Sequence, residues 1–260
     1  MPKAKEKPAG YILAVDTSSD ILGVGLLPRY TATAATPGDS NPGGEAEMDT
    51  ENEAIATIEV DAGLHHVEQV MPVVQDLLGI AGVETGELLG LVAAKGPGSF
   101  TGLRIGVSLL KGMSAVNDAP LILVPTLEAY AAPYRRVSGL VCAALDARKH
   151  RFYVQFFRDG SYLTPALDLT PREAAERGAS LMEPGDSLIL AGPDAEKLQS
   201  GLQNGSDLPN SRLPEIRRRS AVRGLLLEGN RRLLAGERVP DDGGPLYLRG
   251  SEAVFPTKRG

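Results

Sequence analysis

Cysteine and histidine are scarce in this chain of 260 residues, which has one cysteine and three histidines. Cys142 lies in an apolar run, so we expect a small buried side chain there, and no disulfide can form within the chain. One cysteine cannot assemble the usual structural zinc sites with His65, His66 and His150. The sequence therefore predicts no bound metal or other cofactor and is typical of a reducing cytosol.

Net positive charge and long apolar runs are also missing. The formal net charge is −6, whereas a protein that binds nucleic acid by itself usually presents a basic face. No run approaches the roughly 18 apolar residues of a membrane span, and residues 1–10 lack an apolar signal core. We therefore expect a cytoplasmic protein without membrane contact. One basic cluster is expected to be a solvated surface, with steering of nucleic acid as the alternative: Arg217, Arg218, Arg219 and Arg223.

What the first half does contain is an alternation of strands and helices. Strands are predicted at residues 11–15, 22–27, 55–60, 89–94 and 121–124, and helices at 64–78 and 102–116. Gly79 is the expected stop of the first helix. Residues 31–56 have almost no large apolar side chains, which predicts a flexible insertion. Three successive strands followed by crossover helices predict a mixed sheet with helices on its faces.

The second half repeats the opening pattern. In the first half, an apolar strand at residues 12–15 is followed by Asp16 and then by an antiparallel strand at 22–27. In the second half, an apolar strand at residues 140–145 is followed by Asp146 and then by a strand at 152–157. Two copies of one unit predict two related α/β domains with a cleft between them. We place the first domain at residues 1–116. The second covers 117–250 and includes a C-terminal helix at 219–235, and residues 251–260 form a tail.

The most specific stretch joins a strand to a helix at residues 95–106. Gly96, Gly98 and Gly102 permit backbone conformations and close approaches that other residues do not. The amides before a helix can hold an anion, but neither a P-loop nor a dinucleotide motif is present, so a packing turn is favoured. Gly106 and Gly112 in the helix indicate close packing, either on the chain's own sheet or against a helix of another chain.

Several segments together resemble the TsaB (YeaZ) family. The resemblance rests on "GPGSFTGLRIGVSLLKGMS", "ILAVDTSSDILGVGLL", "HHVEQVMPVVQDLL", "AALDARKHRFYVQFF" and "PLYLR", which occur in family order. It implies a two-domain actin-like ATPase (ribonuclease-H-like) fold. It also implies pairing with the catalytic paralogue TsaD and the ATPase TsaE, in a complex that forms N6-threonylcarbamoyladenosine next to the anticodon of tRNAs reading A-starting codons.

The resemblance also implies a scaffold and not a catalyst. TsaD binds its metal through two histidines four residues apart, and Thr126 and Tyr130 stand at those positions here. A hydroxyl and a phenol do not replace two imidazoles as ligands. A metallopeptidase is the least favoured alternative, because His65 and His66 are adjacent and a zincin motif needs two histidines four apart. We expect capping or a solvated first turn at these two residues.

A nucleotide cleft is the second candidate site. Strand-end residues of this superfamily handle metal and phosphate, and the matching positions here are Asp16, Thr17, Ser18, Asp146 and Gly192. The second-domain turns lack the glycines of a working phosphate loop, so a vestigial site is favoured. Asp16 could equally be a hairpin residue that accepts hydrogen bonds from the next amides. An actin-like ATPase or phosphotransferase remains the alternative function.

The third candidate is an interface made by the two N-terminal helices. The resemblance suggests that they meet TsaD, and that a homodimer uses the same surface when TsaD is absent. The chain would contact tRNA only as part of the complex with TsaD. Some of the residues proposed for this interface must face the chain's own sheet, and the sequence does not sort them. The proposed residues are Val67, Val70, Met71, Val74, Leu103, Gly106, Leu109, Leu110, Gly112 and Met113.

Overall fold

The computed structural model describes residues 8–30, 56–63, 65–203, 211–212, 219–239 and 243–246. Apart from residue 56, the predicted insertion at 31–56 lies outside the described residues. So do the predicted tail at 251–260 and two arginines of the basic cluster, Arg217 and Arg218. In the described part of the chain, no helix is long and apolar enough to cross a membrane.

The first sheet is mixed and has a buried central strand. Its strands are β1 (Gly10–Asp16), β2 (Ile21–Arg29), β3 (Ala56–Asp61), β4 (Leu88–Gly96) and β5 (Leu121–Pro125). Their spatial order is β3-β2-β1-β4-β5. β1 is antiparallel to β2 and parallel to β4, and β4 is parallel to β5. Residues 12–15 of β1 are fully buried, which explains why the strand reads as an unbroken apolar run.

Two helices cover one face of this sheet, α1 (His66–Ala81) and α2 (Phe100–Asn117). The predicted stop of α1 at Gly79 is wrong, because the helix continues to Ala81 and ends at Gly82, whose φ is +65°. There the N–H of Gly82 donates to the carbonyl of Gly79, and the N–H of Val83 donates to that of Leu78. A left-handed glycine that satisfies the last carbonyls is a stronger stop than an exposed glycine one turn earlier.

The second sheet repeats the connectivity of the first. Its strands are β6 (Leu140–Asp146), β7 (Phe152–Arg158), β8 (Ser161–Tyr162), β9 (Leu167–Leu169), β10 (Leu188–Ala191) and β11 (Ser211–Arg212). β6 takes the place of β1, since it is antiparallel to the following strand β7 and parallel to β10. α4 (Pro171–Leu181) and α5 (Ala195–Gln203) accompany this sheet. The prediction of two related units is confirmed by this shared strand order.

Two further helices lie between the sheets, α3 (Thr126–Ala131) and α6 (Val222–Leu234). Their apolar side chains share one core with residues of both sheets, including Val92 and Val141. The helices approach closely at Gly224, where an added Cβ would lie 1.6 Å from the carbonyl oxygen of Ala129. The sequence did not reveal α3, because six residues are too few to show a helical period.

The predicted domain boundary after residue 116 is wrong. β5 pairs with β4, with Leu91 opposite Leu121, so residues 121–125 belong to the first sheet. α6 was assigned to the second domain, yet it packs on the first sheet, where Leu226 contacts Gly25 and Gly229 contacts Val92. Sequence order alone suggested a division into halves, whereas the chain returns at its end to cover the sheet with which it began.

A buried carboxylate holds α6 in place. The side chain of Glu228 is only 3% exposed and receives hydrogen bonds from Arg231 at 2.5 Å and Arg232 at 3.0 Å. Arg135, in the loop after α3, approaches the same carboxylate at 3.0 Å. Burial opposes the ionisation of Glu228, but these guanidinium groups outweigh it and hold its pKa below the usual value. The cluster therefore ties the C-terminal helix to the segment between the two sheets.

Candidate functional site

The predicted nucleotide cleft lies where the central strands of both sheets end. Asp16 at the end of β1 is fully buried. One carboxylate oxygen accepts the N–H of Ser18 at 2.9 Å, and the other accepts the N–H of Ala221 at 2.5 Å. Ala221 is the residue before α6 and lies 205 positions away, so no sequence signal could have identified this contact. Both oxygens of the carboxylate are thus engaged by backbone amides.

Burial also changes the electrostatics of Asp16. Desolvation raises its pKa, although the hydrogen bonds from Ser18 and Ala221 act in the opposite direction. A carboxylate that holds Mg²⁺ has to keep oxygen atoms open to the ion and its water shell. The hairpin alternative, in which Asp16 accepts hydrogen bonds from following amides, agrees with the Ser18 contact. The aspartate therefore serves as a cap that joins β1 to the start of α6.

Thr17 and Ser18 face the glycine-rich turn. The hydroxyl of Thr17 donates to the carbonyl of Gly102 at 2.7 Å, and the N–H of Ser99 donates to the carbonyl of Ser18 at 2.7 Å. An added Cβ on Gly98 would lie 2.5 Å from that Ser18 carbonyl oxygen. These contacts favour the interpretation of residues 95–106 as a packing turn, because they place the β1–β2 turn against it.

The second-domain residues of the cleft are paired with one another. Asp146 accepts the N–H of Arg148 at 2.7 Å and forms an ion pair with Lys197. Its own N–H donates to the carboxylate of Asp194 at 2.9 Å. Gly192 has a φ of +109°, and a Cβ there would lie 2.3 Å from the carbonyl oxygen of Ala144. Asp146 and Gly192 thus both lie where the end of β6 meets the segment after β10, Asp146 through its hydrogen bond to Asp194 and Gly192 through its close approach to Ala144.

Thr126 and Tyr130 are the residues that the resemblance places at the metal-ligand positions of TsaD. Both are buried on α3, and the hydroxyl of Thr126 accepts the N–H of Gly96 at 3.1 Å. Burial raises the pKa of Tyr130 well above its usual value, and the charge of Asp16 adds to the effect. A neutral phenol and an engaged hydroxyl do not fit a metal that requires two imidazoles. Across the described residues, no three or more His, Cys, Asp or Glu side chains are grouped to hold a metal ion.

His65 and His66 have different environments. His65 precedes α1, is exposed, and lies 3.3 Å from the carboxylate of Glu68 through Nδ1. His66 is 5% exposed, so the expectation of a solvated first turn is wrong for this residue. Among the described residues, its Nε2 has no hydrogen-bond partner. Two side chains at adjacent positions of a helix point in different directions, which is the reason for the difference.

The structure also sorts the residues of the predicted helix interface. Five of them are buried in the chain's own fold and do not belong to a surface: Val70, Val74, Leu103, Gly106 and Leu110. Leu109 and Met113 are partly buried against the same core. Val67 and Met71 are exposed, and an added Cβ on Gly112 would meet nothing within 4 Å. The outward part of the set is therefore Val67, Met71 and Gly112.

The exposed face of α2 carries small side chains beside these residues. Ser108, Gly112 and Ala115 are exposed and follow one another at spacings of four and three, which places them on one side of the helix. α1 lies next to α2 over the same core. Val67 and Met71 thus face outward on α1, and the small residues face outward on the neighbouring helix α2, where another helix can approach closely. We call these five residues the α1–α2 face.

The basic cluster is only partly described. Arg219 and Arg223 are both exposed. The Nε atom of Arg219 lies 3.9 Å from a carboxylate oxygen of Glu59 on β3. A solvated surface, as expected from the sequence, fits the exposure of these two arginines.

Comparison with known proteins identifies related sequences and folds. The protein family described as "TsaD: tRNA N6-adenosine threonylcarbamoyltransferase" matches residues 59–199, more than half of the chain. The chain is 34% identical over 147 residues to a tRNA threonylcarbamoyladenosine biosynthesis protein TsaB from Bacillus subtilis, covering 56% of this chain and 55% of that protein. It is 37% identical over 97 residues to the Escherichia coli protein of that name, covering 36% and 42%. The chain spans about half the length of the curated relatives it matches.

A solved structure extends the likeness to nearly the whole fold. YeaZ from Pseudomonas aeruginosa superposes with a TM-score of 0.68 over 92% of this chain and 100% of that one, at 23% identity. At that identity the likeness shows the fold alone. Together with the duplicated strand order, it confirms the predicted actin-like, ribonuclease-H-like fold.

Proposed function

Because this chain belongs to the TsaD family and, within it, to the TsaB/YeaZ group, we propose that it is a non-catalytic scaffold subunit. Its partners are the catalytic subunit TsaD and the ATPase TsaE. The assembled complex forms N6-threonylcarbamoyladenosine next to the anticodon of tRNAs that read A-starting codons. In this proposal the chain meets tRNA only through the complex.

The observation that carries the proposal is the α1–α2 face. Val67 is 66% exposed and Met71 is 39% exposed, although the other valines and the leucines of α1 are buried. The small side chains on the exposed side of α2 leave room for a second helix, because the distance between packed helices depends on the side chains at the contact. Two helices from a paralogue of the same fold would cover this surface and complete a four-helix contact.

The same surface supports self-association when TsaD is absent. An isologous dimer uses one patch on both subunits, and a paralogue with an equivalent pair of helices can replace one subunit. The homodimer and the complex with TsaD would then compete for the α1–α2 face. Addition of TsaD is therefore expected to dissociate the homodimer.

The absence of catalysis is supported by what fills the catalytic positions. Thr126 hydrogen-bonds to Gly96, and Tyr130 stays protonated at neutral pH. Asp16 has both carboxylate oxygens engaged. These groups stabilise the fold where a catalytic relative would use the same positions for chemistry. The purified chain is expected to transfer no threonylcarbamoyl group unless TsaD is present.

The test places a charge on the α1–α2 face. Met71→Arg and Gly112→Arg would bury an unpaired charge or separate the helices, which costs several kcal/mol of association. Val137→Arg is the matched control, because Val137 is also 39% exposed but lies in the loop after α3. Sedimentation of each variant with and without TsaD measures both assemblies. We expect Met71→Arg and Gly112→Arg to remain folded but to form neither the homodimer nor the complex with TsaD. The Val137→Arg control should form both assemblies.

The opposite result is equally clear. If Met71→Arg and Gly112→Arg associate with TsaD as the unmodified chain does, the α1–α2 face is not the contact. If the unmodified chain fails to bind TsaD, or modifies tRNA by itself, the scaffold function is wrong.

A further inference from the structure

A cavity of about 570 Å³ is lined by residues of α3, α6 and the second sheet. Its apolar lining includes Ala131 of α3, Val141 of β6 and Phe157 of β7, which are buried in the core that the two sheets share. Small-molecule sites in proteins have volumes of roughly 300–1,000 Å³ and combine apolar walls with a few directed polar groups. The cavity is therefore large enough for a small ligand, and its polar lining decides which kind.

This cavity is separate from the predicted nucleotide cleft. Val141 and Phe157 lie opposite each other at one end of the β6–β7 pair, whereas Asp146 lies opposite Phe152 at the other end. Five residues of extended strand span roughly 16 Å. The five residues named for the cleft are all described by the structure, and none of them lines the cavity. A ligand here would not occupy the position of a nucleotide in the cleft.

One wall of the cavity presents guanidinium groups above a buried carboxylate. The side chain of Glu228 is 3% exposed, whereas those of Arg135 and Arg231 are 39% and 52% exposed. Arg231 contacts Glu228 through Nε and Nη2, and Arg135 contacts it through Nη2. Among the described residues, neither arginine forms a hydrogen bond or ion pair with any other group. Because a guanidinium carries five N–H groups, both arginines keep N–H groups on Nη1 that a ligand can engage.

The ionic groups around the cavity balance one another. Arg232 also lines the cavity and binds Glu128 at 2.6 Å and Glu228 at 3.0 Å, with Glu237 at 3.9 Å. Three arginines thus accompany three glutamates, and no excess of positive charge attracts a ligand. Recognition depends instead on directed N–H groups, whose planar arrangement matches a carboxylate. Balanced surroundings accommodate one added negative charge at a lower cost than two, because like charges repel.

An exposed aromatic ring lines the same cavity. Tyr162 is 67% exposed and lies directly opposite Phe157 in the β7–β8 pair. Side chains at directly opposite positions lie on the same face of a sheet, so both rings are on the side of the cavity. The fold buries little of the Tyr162 ring, which leaves its face available to stack on a planar ligand.

We propose that this cavity is a binding site for a small aromatic monoanion, such as an aromatic carboxylate. Arg135 and Arg231 bind the anionic group through the N–H groups that Glu228 leaves, and Tyr162 stacks on the planar body. A ligand in this position contacts α6, the segment after α3 and β8 together, so it stabilises the packing of the two sheets. The site lies within this chain and does not depend on the proposed function.

The test uses two fluorescent probes that differ in charge. Anilinonaphthalene sulfonate is an aromatic monoanion, and phenylnaphthylamine is the same ring system without the sulfonate. Both are titrated into the folded full chain and into the variants Arg231→Gln, Arg135→Gln and Tyr162→Ala. Glutamine retains a donor for Glu228, and urea denaturation verifies that each variant is folded. Tyr162→Ala removes an exposed side chain, so it tests the site without altering the Glu228 cluster.

Three control variants leave the cavity unchanged. Arg172→Gln removes another exposed arginine that is paired with a glutamate. Leu163→Ala removes an exposed side chain next to Tyr162 that is not part of the cavity lining. Met71→Arg places a charge on the α1–α2 face and shows whether the probes bind there instead.

We expect the unmodified chain to bind one molecule of the anionic probe, about tenfold more tightly than the neutral probe. Arg231→Gln and Arg135→Gln should each remove most of this preference and leave the affinity for the neutral probe unchanged. Tyr162→Ala should weaken the binding of both probes about fivefold, since both stack on the ring. The three controls should match the unmodified chain.

Three results would overturn the proposal. The first is equal affinity for the two probes, or a preference for the anion that survives both arginine variants. The second is unchanged binding of both probes by Tyr162→Ala. The third is binding that Met71→Arg removes, because the probes would then lie on the α1–α2 face. None of these results bears on the scaffold function, since the titrations contain no TsaD.

Discussion

Thr17 and Gly102 are in contact through both their polar groups and their backbones. The Thr17 hydroxyl donates to the Gly102 carbonyl at 2.7 Å, and the Thr17 carbonyl oxygen lies 1.9 Å from the place that a Cβ on residue 102 would take. Gly106, one turn later, faces the same threonine, with its Cβ position 2.5 Å from the Thr17 hydroxyl oxygen. Two glycines of the motif are therefore explained by the close approach of the β1–β2 turn to α2.

Alanine at two glycines of α2 should have opposite effects. Gly102→Ala would force a methyl group onto a backbone carbonyl, and overpacking of this kind destabilises by about 1–3 kcal/mol. Gly112→Ala meets nothing within 4 Å, so it should stabilise the helix by up to about 1 kcal/mol. Urea denaturation of both variants measures the free energy of unfolding. Equal effects of the two substitutions would contradict the contact with Thr17.

Loss of the Glu228 carboxylate should destabilise the chain strongly. Glu228→Gln leaves Arg231, Arg232 and Arg135 without the carboxylate that they share, and breaking a buried ion pair costs about 3–5 kcal/mol. Glu176→Gln is the control, because it breaks an exposed pair with Arg172 that is worth about 0.5 kcal/mol or less. Chemical denaturation at neutral pH measures the free energy of unfolding of the two variants. Losses of similar size would show that the cluster adds nothing beyond a surface pair.

The same glutamate gives a pH dependence of known sign. Its pKa is lowered in the folded chain, so its contribution to stability is present above the unfolded value of 4.5 and is lost as the pH falls through the folded value. Glu228→Gln should therefore lose less stability than the unmodified chain below about pH 4.5. Denaturation curves at a series of acidic pH values measure this difference. Parallel curves for the two proteins would rule out the lowered pKa.

The contribution of Asp16 to stability should depend on pH with the opposite sign to that of Glu228. Burial raises its pKa above the usual value of 3.8, so the folded chain binds the proton more tightly than the unfolded chain does. Stability then falls as the pH rises from 3.8 through the folded pKa. The stability of the unmodified chain relative to Asp16→Asn should decrease over that range. Asp118→Asn, at an exposed left-handed position after α2, is the control.

The sequence predicted most strands well, because long apolar runs and the duplicated aspartate turns are local signals. β1, β4 and β6 lie within one or two residues of their predicted ends. The interface residues could not be sorted, since Val70 and Met71 are both apolar members of one periodic set and only the packed fold distinguishes them. The cap that Ala221 places on Asp16 joins residues 205 positions apart. Contacts of that range have no local pattern from which they could be inferred.

The isolated chain should not bind ATP tightly. In an actin-like ATPase the strand-end aspartates must remain open to metal and phosphate, whereas Asp16 accepts two backbone N–H groups and Asp146 pairs with Lys197. A ligand at 100 times its dissociation constant stabilises a protein by about 2.7 kcal/mol. For a chain of this size, that corresponds to a rise in Tm of about 5–11 °C. We expect no such rise with ATP and Mg²⁺, and TsaE measured under the same conditions provides the positive control. A rise of several degrees in the isolated chain, abolished by Asp16→Asn, would favour the ATPase or phosphotransferase alternative over the scaffold.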